Sequence, residues 1–218
     1  MVKRIIVLLL SVLLCACANT NSIEKQLDDV FSSSEINKVR VNNYTNYIEY
    51  YLPSDVNEEN SEPLSFVFSL DDCKLVMNVN IPNILNKEYY NETQLNDEGF
   101  FDENKLIYSN QGDYLNDGKT TRYFFKTYQY EDECLLYFVS DDVNFYGYGP
   151  LDKVSLLASK ILQMAKAVNV HTDRVIADFS TADVIDYQRS TINLFEKTLP
   201  KDGPVDEFII GNGEQVSD

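Results

Sequence analysis

The chain has 218 residues, enough for one domain whose core folds unaided. Thirty-five acidic residues against 18 Lys+Arg give a formal charge of -17. That balance argues against nucleic acid or anionic lipid headgroups as partners, because both need cationic patches, and a single histidine rules out most His-dependent metal sites.

Met1-Val2-Lys3-Arg4 is a short basic region, and Ile5 to Leu14 is an apolar run broken only by Ser11. A membrane-spanning helix needs roughly 20 apolar residues, so the run is too short to span and matches the ~7–15-residue apolar core of a signal peptide. Leu14-Cys15-Ala16-Cys17 follows. This segment resembles a lipobox, the bacterial lipoprotein pattern of branched apolar, variable, small residue and cysteine. The resemblance implies that Cys17 receives a diacylglyceryl thioether and further acylation such as palmitate. It also implies that a peptidase cuts between Ala16 and Cys17, leaving the protein held on the extracytoplasmic face of the cell membrane. Leu14 is too bulky for the small position that Cys15 would need in front of it. Two acyl chains suffice for stable anchoring where one does not. The competing reading is a plain signal peptide that ends in cysteines. The resemblance covers residues 1–17 and says nothing about the domain behind them.

The expected organisation is a signal peptide over residues 1–16, a lipidated Cys17 with a short tether to residue 22, one α+β domain over 23–200 and an acidic tail over 201–218. Ser22 can cap a helix to about Phe31, with Ile23, Leu27, Val30 and Phe31 on one stripe. Tyr44 to Leu52 reads as a strand stopped by Pro53, and Asn57 to Ser61 as an acidic loop. Leu64 to Leu70 and Cys73 to Asn80 read as a hairpin around Asp71-Asp72. Pro82 to Asn86 reads as irregular or a short helical turn, and Asn91 to Asn104 as a long polar loop. Lys105 to Ser109 is a short predicted strand before the turn-rich Asn110 to Lys119. Thr120 to Tyr130 and Cys134 to Ser140 form a second predicted hairpin across Glu131-Asp132-Glu133. Gly149-Pro150 opens a predicted helix whose apolar face carries Leu151, Val154, Leu157, Ile161, Leu162, Ala165 and Val168. Arg174 to Phe179 reads as a strand, Ser180-Thr181-Ala182-Asp183 as a capping box for a helix to about Thr198, and Phe208-Ile209-Ile210 as a last edge strand. The expected fold is α+β: an antiparallel sheet of about five or six strands packed against two or three helices as a two-layer sandwich.

Few residues point to chemistry. His171 lies in a predicted turn, no Gly-x-Ser-x-Gly elbow accompanies it, and a surface or capping role is expected for it. Gly147-Tyr148-Gly149 lacks a third glycine and the βαβ context of a phosphate loop. Asp113, Asp117 and Gly118 match three positions of a calcium loop, but Leu115 and Phe124 stand where ligands are required. Asp141-Asp142 and Asp178, Asp183 and Asp186 could hold a hard cation or act as paired carboxylates, while solvation and helix capping explain them more simply. No cofactor is expected.

Cys73 and Cys134 leave two readings open. An extracytoplasmic domain permits a disulfide between them, and two buried free thiols are the alternative. Tyr44, Tyr47, Tyr50 and Tyr51 cluster in one segment, and Tyr123, Tyr128 and Tyr130 in another. They serve either as sheet packing or as an aromatic interaction face, since tyrosine is enriched at interfaces. The function expected from these features is a membrane-anchored, non-enzymatic binding module of the cell envelope, partnered by an envelope protein or a cell-wall polymer and not by nucleic acid. The alternative is a carboxylate-dependent hydrolase of cell-wall or extracellular polymers, whose two acids need only the right separation.

Overall fold

The computed structural model describes residues 23–33, 39–91, 101–116 and 118–180. The signal segment, Cys17, the helix expected after Ser180 and the acidic tail lie outside the described residues. The chain mixes helices and strands, as its changing hydrophobic period predicts.

Helix α1 covers residues 23–32 and buries Leu27, with Ile23, Val30 and Phe31 packed beside it. The segment read as one strand from Tyr44 to Leu52 is divided into β1 (Asn43–Tyr44) and β2 (Ile48–Tyr50). Between them, the Thr45 backbone N–H donates to the Ile48 carbonyl at 2.8 Å and closes the turn.

Strand β3 (Asn57–Glu62) replaces the expected acidic loop. Its six residues are all exposed, so it has no buried side to give it a two-residue hydrophobic period. The hairpin of β4 (Ser65–Leu70) and β5 (Cys73–Val79) turns where expected, with Asp71 at φ 50°. Aspartate tolerates this left-handed conformation better than most residues. Helix α2 (Ile81–Tyr90) extends well past the short turn expected at Pro82. Asn80 caps it by accepting from the Asn83 backbone N–H at 3.3 Å, and Asn91 ends it in left-handed geometry at φ 53°.

A continuous β6 (Leu106–Asn116) covers both the short strand and most of the turn-rich stretch that follows it. Its register against β7 (Lys119–Tyr130) runs from Leu106 opposite Tyr128 to Asn116 opposite Lys119, and cross-strand pairing overrides weak local propensity. Strand β8 (Glu133–Ser140) completes the second expected hairpin.

The expected helix start at Gly149-Pro150 is corrected: Val143–Pro150 is strand β9, flanked by β5 and β8 inside the sheet. Its glycines obscure it in the sequence, but each marks a close approach. A Cβ on Gly147 would lie 3.3 Å from Ile161, and one on Gly149 would lie 2.6 Å from Cys73 Sγ. A 3-10 turn over Leu151–Lys153 then leads into α3 (Val154–Ala165). Strand β10 (Val168–Val170) pairs with β2, and α4 (Thr172–Phe179) replaces the strand expected from Arg174. Val175, Ile176 and Phe179 have high strand propensity, but as a helix they share one side and pack on the core.

Among the described residues the main sheet is antiparallel with seven strands in the order β3-β4-β5-β9-β8-β7-β6, and a small sheet runs β1-β2-β10. One face of the main sheet carries Phe66, Leu75, Met77, Phe125 and Phe138, clustered with Leu27 of α1, Leu157 and Ile161 of α3, and Val175 of α4. Full burial contributes about 1.5–3 kcal/mol per large apolar side chain, so this shared cluster holds the helices to the sheet. Alternation sends Val67, Val76, Leu135, Tyr137 and Tyr146 to the other face, where Phe101 joins them in a second cluster.

Candidate ligand cleft

A cleft of about 370 Å³ opens where α1, the outer strand β6, β7 and the end of α3 meet. Helix α1 supplies Phe31, whose ring stacks on Tyr123 at 5.6 Å and 12° and tilts against Phe125 at 4.8 Å. Strand β6 supplies Asp113, Tyr114 and Leu115, and Tyr114 lies 6.0 Å from the Tyr123 ring. The α3 side supplies Leu162 and, one residue past the helix, Lys166. Gly112 is opposite Tyr123 in the register, and a Cβ there would come within 3.1 Å of the phenol oxygen. The glycine leaves room for the Tyr123 ring to lie across β6.

A directed chain of hydrogen bonds fixes this wall. Tyr123 Oη donates to Asn110 Oδ1 at 2.6 Å, Asn110 Nδ2 donates to Tyr108 Oη at 3.2 Å, and Tyr108 Oη donates to Asp28 at 2.8 Å. Burial, reinforced by the Asp28 hydrogen bond, pushes the Tyr108 phenol up to about 12. Burial and then the nearby Asp113 charge also raise Tyr123, while burial dominates the rise at Tyr114. The phenols are therefore neutral hydrogen-bonding groups at ordinary pH. Lys166 is half-buried, and loss of solvent lowers its pKa. The cleft thus combines aromatic and aliphatic walls with one amine, Lys166, and one carboxylate, Asp113, a composition suited to a ligand with apolar surface and a few polar groups.

The sequence-level candidates are dispersed. Tyr50 and Tyr128 are fully buried and Tyr123 nearly so, Tyr47, Tyr51 and Tyr130 are partly buried, and Tyr44 is 66% exposed. Tyr50 donates to Glu58 at 2.5 Å, Tyr47 donates to Asp178 at 2.8 Å, and Tyr123 belongs to the cleft. The seven tyrosines therefore form no single exposed face, because strand alternation and burial separate them. Tyr89 and Tyr90, at the end of α2, are among the exposed aromatic residues instead.

Cys73 and Cys134 are free, buried thiols. Both reach toward Gly149 from opposite sides: Cys134 is paired with Gly149 across β8 and β9, and Cys73 Sγ overhangs it. The intervening β9 puts their backbones about two strand spacings of ~4.8 Å apart, beyond the ~7 Å that a disulfide bridges without backbone movement. Burial first, and then Asp72, pushes the Cys73 thiol up to about 12, and burial raises Cys134 as well. Raised thiol pKa values give inert packing groups, not nucleophiles.

His171 sits at the start of α4. Its Nδ1 lies 3.0 Å from the Asn46 carbonyl and its Nε2 3.5 Å from Glu49, so it ties the helix to the turn before β2. Asp141 and Asp142 pair with Lys87 at 3.9 Å and Lys119 at 3.1 Å, and Asp183 and Asp186 lie outside the described residues. Among the described residues no group of three or more His, Cys, Asp or Glu is placed to hold a metal ion, and no helix is long and apolar enough to cross a membrane.

Sequence reasoning located Phe31 and Leu162 as core positions but did not connect them to a site, and it passed over Tyr114 and Lys166. The available signal was a lysine directly after the apolar face of α3. The partner wall lies about 50 positions earlier in the chain, and only the fold brings the two together. Compared with known proteins, the chain matches no family model and no curated sequence.

Proposed function

We propose that this protein is a lipid-anchored, extracytoplasmic binding module that holds an envelope partner through the cleft between α1, β6 and α3. Cys17 is the lipid attachment point, Ala16–Cys17 the processed bond and the outer face of the cell membrane the location. The lipobox-like Leu14-Cys15-Ala16-Cys17 supports this part of the reading. The single observation behind the binding assignment is the cleft itself, where stacked aromatic walls stand beside the half-buried Lys166. Such a site suits a ligand with an apolar portion and polar groups that can meet both Lys166 and Asp113.

The domain architecture in this reading is a two-layer sandwich. Its support is the common apolar cluster between α1, α3, α4 and one face of the main sheet. The strong negative charge keeps the anchored domain off an anionic membrane surface and leaves nucleic acid outside its partners.

The testing experiment is an in-cell crosslinking pull-down of the tagged full chain beside Cys17→Ala and Lys166→Met variants. The reading predicts one reproducibly enriched envelope component, depleted in Lys166→Met, and loss of membrane association in Cys17→Ala. Equal recovery from wild type and Lys166→Met removes the cleft from the account. A Cys17→Ala protein that stays with the membrane removes the anchor.

A further inference from the structure

The two ionic groups of the cleft differ in what already meets them. Lys166 is half-buried on the α3 side and has a partner within the chain. Asp113 is exposed on β6, and among the described residues it makes no ion pair, not even with Arg122 opposite it in the register.

Negative charge reaches the aromatic walls. Burial and then the Asp113 charge raise the Tyr123 phenol, and the charges of Asp142 and Asp141 add to the burial that raises Tyr114. Asp141 and Asp142 are balanced in part by Lys87 and Lys119, at 3.9 and 3.1 Å, whereas Asp113 is not. The rings beside it are Phe31, Tyr114 and Tyr123: Phe31 stacks on Tyr123 at 5.6 Å, and Tyr114 is tilted against Tyr123 by 43° at 6.0 Å. Aromatic faces carry a negative quadrupole that attracts a cation. A neutral ligand gains from the rings alone, an anion is repelled by Asp113, and a cation gains from both. The formal charge of -17 adds attraction at longer range.

We infer that the cleft takes a substituted ammonium group of an envelope partner, with its alkyl substituents against Phe31, Tyr123 and Leu115 and its charge beside Asp113. The inference rests on the cleft being the binding site and names the class of ligand group it selects. Leu115, at 69% exposure, offers apolar contact at the mouth. Lys166 on the α3 wall disfavours a second cation there, so the group that meets it is neutral or anionic.

The test titrates the purified Cys17→Ser chain with choline and with the alcohol in which carbon replaces its charged nitrogen, following the tyrosine ring signals by NMR. The inference predicts that choline binds about tenfold or more tightly than the alcohol. Asp113→Asn weakens choline by about threefold or more and leaves the alcohol unchanged. Glu62→Gln on β3 removes the same charge away from the cleft and changes choline binding by less than about twofold, since exposed charges are screened over such distances. Phe31→Leu keeps an apolar side chain but loses the ring, and weakens choline more than the alcohol. Phosphatidylcholine vesicles do not compete with choline; competition would assign the site to lipid headgroups and overturn the envelope partner as the source. Equal binding of the two probes, or no binding of choline, overturns the ammonium class, and the in-cell crosslinking then decides the cleft by itself. Failure of both experiments removes the binding module.

Discussion

Gly149 offers the sharpest test of how the centre of the sheet is packed. Its backbone φ lies outside the left-handed region, so the position needs a small residue and not an unusual backbone. A Cβ built there meets Cys73 Sγ at 2.6 Å, Cys73 Cβ at 3.2 Å and Cys73 Cα at 3.3 Å. The optimum for such contacts is about 3.5–4.0 Å, so Gly149→Ala forces either the thiol or the β5 backbone to move by up to ~1 Å. Cys73 is fully buried, which leaves the sulfur little room to rotate away. Overpacking of this kind costs about 1–3 kcal/mol, and the central location puts the expected value at ~2 kcal/mol. At roughly 2–4 °C per kcal/mol for a domain of this size, the melting temperature falls by ~4–8 °C. Cys73→Ala deletes the sulfur and leaves the Cβ and backbone contacts, so it relieves part of the clash. Urea unfolding of the two single variants and the double variant should therefore give a double-variant cost about 1 kcal/mol below the sum. Additive costs, or an unaffected Gly149→Ala protein, would refute the packing of β5 against β9.

Three further outcomes follow from side chains in fixed positions. Asn80→Ala removes the α2 cap and the Nδ2 donation to the Ser140 carbonyl at 3.1 Å, and unfolding should show a loss of ~1–3 kcal/mol without loss of the fold. Cys73 and Tyr108 have folded pKa values raised to about 12, above their ordinary values of 9.0 and 10.0. Their contribution is complete below the unfolded values and is lost as pH rises through the folded ones, so melting temperature should fall from about pH 9 toward 12; a flat profile there would contradict the burial of these groups. Because both thiols are free and buried, iodoacetamide at pH 8 should label Cys73 and Cys134 only after denaturation, whereas resistance in denaturant without reductant would indicate a disulfide.

The two hairpins were legible in the sequence because acidic turns separate strongly apolar strands, as at Asp71-Asp72 and Glu131-Asp132. The helix at residues 23–32 and most of α3 were legible from their 3.6-residue apolar spacing. Other elements carried misleading local signals. The glycines of β9 read as punctuation, although they serve close contacts with Ile161 and Cys73. Strand β3 lacks a buried side, and α4 places strand-favouring Val175 and Ile176 on a helix. The tyrosines announced aromatic packing but not which rings are buried, since burial follows strand parity and the covering helices. The cleft was least legible: Phe31, Tyr114 and Lys166 are far apart in sequence, and none belongs to a motif that links them.

The most direct measurement of the central claim is site-specific photocrosslinking in cells, with a photoreactive phenylalanine at Leu115 or, as the control, at Glu62 on β3. The account predicts one envelope protein trapped from position 115, absent from position 62 and reduced by Lys166→Met. The same adducts from both positions, or none from position 115 while the protein is anchored, would contradict binding at the β6 cleft.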